Sequence, residues 1–389
     1  MDTQPPKPPE PKPPEPKPPS VPEPPPVPPT PPAPTLLPVE IAGPGGRTAA
    51  QLNKMSQTGD LSSDNLAFLN RLLGLQGQPQ ITAITNSGSQ HKVLQYQIEK
   101  LDLLLHKELE HELYSSRSGT QGFLLGGYDN FSQKSVNAYP GYNVDHYYQM
   151  LGLTHDFGRM KWLLALAGSE SYEKLKPRLY SAKASYYTAW GTIGVSSHHK
   201  RWSYGLDALF GYSFINARRT IQYLDLKARA NHGMWNVSLD GKLGYSFTVG
   251  KAKLTPYENL GYLYGHENDY KEHGAPGANL SIFDENISVL RNQLGIKLVS
   301  PIDKTKLNVF IDGAWVYDAY FGNKNYKQQF IGSSIVASVT QTVPTRNYGR
   351  INAGLQGIYK DFNWRIAYTG LYGSKLADSA ASLDLGYKF

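Results

Sequence analysis

The densest run of titratable side chains is His106-Lys-Glu-Leu-Glu-His111-Glu112. Imidazoles and carboxylates this close together are the donor set of a zinc site. The spacing argues against one. A metalloprotease helix carries His-Glu-x-x-His, whereas here His111-Glu112 leads to Ser115, and His106 lies five residues before His111. Five helical residues turn through roughly 500°, which leaves the two rings about 140° apart. A charged helix face is the plain reading, and no metal site is assigned. His198-His199-Lys200-Arg201 reads as a polar turn. Asp207, Asp240, Lys242, Asp312, Arg350 and Arg365 are charges set singly inside alternating stretches, where the lining of a polar cavity is favoured over acid–base work because a polar lumen needs charges anyway. No Gly-x-Ser-x-Gly, phosphate loop or dinucleotide fingerprint occurs, so no catalytic residue or cofactor site is assigned.

The elements that must hold these charges are strands. Trp202, Tyr204, Leu206, Ala208, Phe210, Tyr212 and Phe214 fall on one face, with Ser203, Gly205, Asp207, Leu209, Gly211 and Ser213 on the other. Trp235 to Val249 repeats the pattern, with Asp240 and Lys242 on the polar face. Leu307 to Tyr317 does so with Trp315 outside and Asp312 inside. Phe362, Trp364, Ile366 and Tyr368 oppose Asn363, Arg365 and Thr369. Period two with aromatics at both ends of the apolar face marks a strand that meets lipid on one side and a polar lumen on the other. Trp202, Tyr204, Tyr212, Phe214, Trp235, Trp315 and Trp364 are the expected interface aromatics. Asp207, Asp240, Lys242, Asp312, Arg350 and Arg365 are expected to face the lumen.

Connections alternate in length. Short turns fall near 156–159, 197–201, 249–253, 301–305 and 360–362. Long polar links are expected at 132–143, 170–183, 217–231, 266–286 and 322–346, with a shorter one at 373–380. Short on one side and long on the other is the pattern of an outer-membrane barrel. The fold expected is therefore all-β: a transmembrane antiparallel up-and-down β-barrel of about 12 strands, residues 118–389, with both ends on the short-turn side.

Composition agrees. Tyr is present 27 times and Gly 37 times, against 18% charged residues. No run of about 18 apolar residues exists, so no transmembrane helix is expected. There is no cysteine, which excludes a disulfide framework or thiolate metal site. Net charge is +7, with basic residues scattered. Anionic lipid headgroups or simple solvation are a better match than nucleic acid, and the loop residues Arg218, Arg219, Lys227 and Arg229 are candidates either to meet lipopolysaccharide phosphate or to be merely solvated.

Ahead of the barrel, 20 of the 28 prolines lie between Pro5 and Pro38. Residues 1–58 read as a Pro-rich disordered linker, extended at ~3.1 Å per residue. Residues 59–117 read as a helical linker. Its first helix, 62–74, has a Ser-rich start, Gly74 at its end, and Leu66, Leu69, Leu72 and Leu73 as its apolar side. Its second spans about 90–114, with Leu94, Ile98, Leu101, Leu105, Leu109 and Leu113 on one side and charges on the other, long enough to traverse the barrel. The start, Met-Asp-Thr-Gln-Pro, is no signal peptide. A barrel chain of this kind is expected to be part of a longer precursor; a split or misannotated reading frame would look the same.

The terminal Leu383-Asp-Leu-Gly-Tyr-Lys-Phe389 places Leu383, Leu385, Tyr387 and Phe389 on one face. With Lys253-Leu-Thr-Pro-Tyr-Glu-Asn-Leu-Gly-Tyr-Leu-Tyr264, Leu294-Gly-Ile-Lys-Leu298, Ala314-Trp315, the helix before the first strand and the Pro-rich spacer, residues 59–389 resemble the translocator domain of autotransporters, the type V secretion family. The resemblance implies a Gram-negative outer-membrane barrel that exports and anchors an N-terminal passenger, itself absent here, with the helix left in the lumen. It implies that Leu383, Leu385, Tyr387 and Phe389 are an assembly signal. The partners implied are lipid and lipopolysaccharide, the barrel-assembly machinery, periplasmic chaperones and the chain's own passenger, and not nucleic acid. Some members cut themselves after an Asn-Asn pair in the lumen helix. This linker has only Asn86-Ser87, so no such cleavage is expected. A porin-like channel, or a barrel hydrolase, is the alternative. A porin would have neither lumen helix nor spacer.

Overall fold

The computed structural model describes residues 36–89, 97–115, 118–136, 139–176, 181–322, 325–340 and 345–389. Twelve long strands form one closed antiparallel barrel: β1 Gly119–Gln133, β2 Tyr142–Asp156, β3 Met160–Leu175, β4 Ala182–His199, β5 Trp202–Ile221, β6 Leu226–Tyr245, β7 Ala252–Glu267, β8 Glu285–Pro301, β9 Leu307–Phe321, β10 Asn347–Tyr359, β11 Phe362–Tyr372 and β12 Leu376–Lys388. Each pairs with its neighbours in sequence, and β12 closes on β1 from Gln121↔Lys388 to Gln133↔Leu376. Closure leaves no free edge, which is the condition for a sheet to sit in hydrocarbon. The strands run from 11 to 20 residues.

The alternation read from sequence is physical. Along β5, Ser203, Asp207, Leu209, Gly211 and Ser213 are buried while Trp202, Tyr204, Leu206, Phe210, Tyr212 and Phe214 are exposed. The short turns are tight, and Lys200, Lys304 and Lys360 take positive φ within them. One long link is absent: instead of a loop at 217–231, β5 and β6 continue to a turn at 222–225. The inward positions there, Ala217, Arg219, Ile221, Ala228 and Ala230, are all buried. The outward residues are polar because the hairpin rises beyond the apolar band. The link at 170–183 is likewise mostly strand, since β3 runs to Leu175 and β4 starts at Ala182.

Helix α1 spans Pro44–Thr58, α2 Ser63–Leu73, α3 Gly77–Ser87 and α4 Gln97–Leu113. Two of these differ from the sequence reading. Helix α1 lies inside the stretch assigned to disordered linker, 1–58. Its Gly-rich first turn hides it, yet Ala49, Leu52 and Met55 form a stripe with no exposure at all. Helix α3 begins in Gly-Gln-Pro and has β-branched residues, and its helical signal is weak. Helix α2 has the expected ends: Ser62 and Asn65 form a capping box, and Gly74 terminates it. Its buried side, however, is Phe68, Leu69 and Leu72, with Leu66 48% exposed. Residues 1–35, and the first turns expected of the pore helix at 90–96, lie outside the described residues.

Helices α1–α3 and the long loops build a cap at the long-loop end. A four-stranded sheet of Val336–Thr340, Asn325–Phe330, Leu280–Ile282 and Tyr270–Lys271 supports them. Leu52, Phe68, Leu72, Ile84, Leu280 and Phe330 share one buried cluster with Ile221 and Ala228 of the β5–β6 hairpin.

Candidate functional site: a pore filled by a charged helix

Helix α4 lies inside the barrel. Of its residues only His111 is more than marginally exposed, and the charged Glu99, Lys100, Asp102, Lys107, Glu108, Glu110 and Glu112 are all buried. Its C-terminal end is at the short-turn end of the barrel, where the Ser196 hydroxyl donates to the Leu113 carbonyl at 2.7 Å. Lys161 donates to the Ser115 hydroxyl at 2.7 Å just beyond. The chain thus enters the lumen from the cap end and leaves beside the turns.

The lumen has two halves, and the helix matches both. Ile98, Leu101, Leu105, Leu109 and Leu113 belong to a cluster with Phe123, Leu125, Val144, Met150, Leu163, Ala165 and Trp190 of β1–β4. The wall of β5–β12 carries most of the charges that meet α4, although β1–β3 also bury Asp129, His146, Lys161 and Glu173. Lys100 donates to Asp318 at 2.9 Å and to Tyr348 at 3.1 Å. Arg291 lies 2.9 Å from Asp318, 3.1 Å from Glu99 and 3.5 Å from Asp102. Tyr320 donates to Glu99 at 2.6 Å. Further down, His106 pairs with Asp207 and lies 2.8 Å from the Ser238 hydroxyl. Lys107 pairs with Asp312, which also accepts from Tyr257 at 2.6 Å and lies 3.2 Å from Arg350. Glu110 pairs with Lys242, Glu108 with Arg365, and Arg365 lies 3.9 Å from Asp384. A buried charge is tolerable only when paired and hydrogen-bonded, and this wall supplies partners at successive levels.

Asp207, Asp240, Lys242, Asp312, Arg350 and Arg365 all point into the lumen and are buried. Five of the six pair with α4 or with a group that does; Asp240 accepts from Asn259 instead. Asp318 falls with Asp312 on the polar face already read from the sequence, whereas sequence reasoning missed Arg291, Tyr257 and Tyr348. Their inward positions in the period-two pattern were the available signal. His106, Asp207 and Asp240 place ligand-type atoms within 4.8 Å of one another, as do His111, Glu112 and Asp384. In the first group His106 and Asp207 already satisfy each other, and charge pairing accounts for the geometry. His106 and His111 face different walls.

On the outer surface, Trp202, Tyr204, Tyr212, Phe214 and Trp315 are exposed, and Trp235 and Trp364 half-buried. Leu383, Tyr387 and Phe389 of β12 also face outward, with Leu385 half-buried. The Phe389 amide donates to the Thr120 carbonyl at 3.1 Å, and its ring stands edge-on to Tyr387 at 5.5 Å. Arg219 is not a surface arginine. It is fully buried beneath the cap, where it pairs with Glu272 and donates to the carbonyls of Asn86 at 2.7 Å and Ala278 at 2.9 Å. It cannot meet a lipid phosphate. Asn86-Ser87 ends α3 in the cap and is not in the lumen helix.

The family model described as Autotransporter beta-domain matches residues 122–369. Among solved structures, the chain is similar to the translocator domain of autotransporter NalP from Neisseria meningitidis. The identity is 15% and the TM-score 0.64, covering 75% of this chain and 96% of that one. It is also similar to the beta domain of the Bordetella autotransporter BrkA, at 9% identity and a TM-score of 0.50, covering 70% of this chain and 100% of that one. No curated protein matches the sequence. At such identities the structural likeness concerns the fold.

Proposed function

We propose, for a chain that belongs to the autotransporter β-domain family and is an outer-membrane translocator, that its helix-filled pore is the state reached when an N-terminal passenger has been exported. The observation that carries this reading is the direction of α4. Its N-terminal end is at the cap, its C-terminal end at the short turns, and β1 starts at those turns with Gly119 opposite Asp156. The described residues upstream of α4, 36–89, are therefore on the loop side. On this reading that side is the cell surface, and both barrel ends are periplasmic.

The rest follows from placement. Residues 1–35, within the stretch 1–58 read as a linker, act as a semi-rigid spacer between passenger and barrel. Helices α1–α3 then close the outer mouth. Trp202, Tyr204, Tyr212, Phe214, Trp235, Trp315 and Trp364 seat the barrel in lipid. Leu383, Leu385, Tyr387 and Phe389 are read by the assembly machinery after chaperoned passage through the periplasm. The barrel transports and does not catalyse, and Asn86-Ser87 is not a cleavage point. A lumen occupied along its length by α4 favours this reading over an open porin.

The test fuses a signal peptide and a small folded reporter ahead of Met1. Surface labelling of the reporter, with a barrel whose gel mobility changes on heating, is expected. A heat-modifiable barrel whose reporter stays in the periplasm refutes export. Deleting residues 1–115 should raise single-channel conductance; an unchanged conductance refutes the plug.

A further inference from the structure

The outward face carries a basic row that spans five adjacent chain segments. Cross-strand register places Lys174 of β3 opposite Lys183 of β4, Lys183 opposite Arg218 of β5, and Arg218 opposite Arg229 of β6. Arg229 then pairs through its backbone with His273, with both amide hydrogen bonds at 2.9 Å. All five side chains are exposed. Directly opposed residues in an antiparallel sheet have Cα atoms only ~4.5–5.5 Å apart, and like charges in that position destabilise it. Three consecutive like-charge pairs are an arrangement that folding alone does not favour. Among the described residues none of the five has an ion-pair partner. Two carboxylates below the row, Asp145 and Glu170, are on rows closer to the aromatic belt. Asp145 accepts from Tyr128 at 2.8 Å and Asn130 at 2.7 Å, and Glu170 from Tyr172.

The height of the row identifies its partner. Tyr187 pairs with Phe214 across β4 and β5, and both are exposed. Arg218 lies four residues beyond Phe214, which is ~13 Å along the strand and about 10 Å outward for a strand tilted near 40°. That level is just outside the hydrocarbon, on the lipid-facing side and not over the pore. We propose that Lys174, Lys183, Arg218, Arg229 and His273 form a docking surface for the phosphate-bearing glucosamine headgroup of lipopolysaccharide. The anions would lie along the row and relieve its repulsion. This rests on the outer-membrane reading, with the row on the external side.

The full chain, refolded in detergent, is titrated with bis-phosphorylated lipid A, with dephosphorylated lipid A and with inorganic phosphate. Native mass spectrometry and the thermal midpoint are the readouts. The comparison protein carries Lys174→Gln, Lys183→Gln, Arg218→Gln and Arg229→Gln. Heat-dependent gel mobility is checked on every sample: its absence from the natural chain would sink the barrel reading itself. With folded barrels, the natural chain should bind the bis-phosphorylated lipid at least tenfold more tightly than the dephosphorylated one and melt higher with it. The four-fold variant should lose both effects and, without lipid, melt no lower than the natural chain. Equal binding by the two proteins, or equal binding of the two lipids, overturns the proposal. So does a response to inorganic phosphate as large as that to the lipid.

Discussion

Arg219→Met should release the cap from the barrel while leaving the barrel intact. The guanidinium makes four hydrogen bonds: two to Glu272, one to the Asn86 carbonyl and one to the Ala278 carbonyl. It therefore ties α3 and the loop after β7 to β5. The substitution leaves Glu272 buried with the Leu280 amide, at 2.9 Å, still donating to it. Removing one partner of a buried ion pair costs about 3–5 kcal/mol. At ~1.4 kcal/mol per decade, that multiplies the population of the undocked cap by roughly two to three and a half decades. Hydrogen exchange on the full refolded chain reads this directly. Amides of α3 should exchange faster by that factor, and amides of β1–β4 serve as an unchanged internal reference. The double variant Arg219→Met, Glu272→Leu removes the stranded carboxylate. Replacing a buried pair by apolar groups is often nearly neutral, so the double variant should recover at least ~1 kcal/mol of what the single one lost. Unchanged protection of α3 in the single variant, or a double variant worse than the single, would refute the clamp.

Phe389→Ser should lower the fraction of heat-modifiable barrel made in cells. It should shift the melting of purified refolded barrel by no more than ~0.5 kcal/mol, because the ring is 75% exposed; a melting loss that accounts for the cellular defect would remove the signal role. Gly277→Ala should loosen the cap by more than ~1 kcal/mol, since Gly277 has φ +73° and an added Cβ would sit 2.1 Å from the Asp64 carbonyl oxygen; exchange in α2 at the natural rate would contradict this. Asp60 lies outside the barrel, and hydrogen bonds from the Ser333 hydroxyl and from the Ser334 amide and hydroxyl hold its carboxyl below the usual value of 3.8. Its folded form is the stronger acid, so its contribution is complete above that value and is lost as pH falls through the lower folded one. Cap protection should drop in that acidic window in the natural chain and be flat there in Asp60→Asn; identical profiles would exclude the role.

The barrel was legible because every strand repeats the same constraint. A period of two with lipid on one side and a filled lumen on the other cannot shift by one residue without exposing charge to hydrocarbon. Twelve repetitions make a weak signal strong. The pore helix was legible for the same reason: Ile98, Leu101, Leu105, Leu109 and Leu113 keep one side apolar. The cap was not. Its helices are short, and α1 starts at Pro44-Gly-Gly in a Pro-rich setting where local propensity argues against helix. What orders it is tertiary: Gln51 donates to the Ile335 carbonyl at 2.8 Å, and Asn65 to the Gly277 and Ile331 carbonyls at 2.9 and 3.1 Å. No window of sequence holds both partners of such a bond. The β5–β6 hairpin misled for a related reason. Polar outward residues there look like loop until their inward neighbours, Ile221, Ala228 and Ala230, are seen to pack under α1–α3.

The two halves of the lumen fix different coordinates of the helix. The apolar half sets rotation, because only one side of α4 can face β1–β4. It does not set height. Leu101, Leu105, Leu109 and Leu113 recur every four residues, so a slide of one turn, ~5.4 Å, lays each leucine near its neighbour's place. The charged half forbids that slide. Moving α4 one turn toward the short turns brings Leu103 to the position of Lys107, opposite Asp312, and His106 to that of Glu110, opposite Lys242. Moving it one turn the other way brings Tyr114 opposite Lys242 and leaves Lys100 away from Asp318. Either way buried charges lose their partners, at a cost of several kcal/mol each. A neutral amphipathic helix would fill the same pore at many heights. The mixed signs along α4 are what select one, and they explain why a helix held by hydrophobic contact on one side carries so many charges on the other.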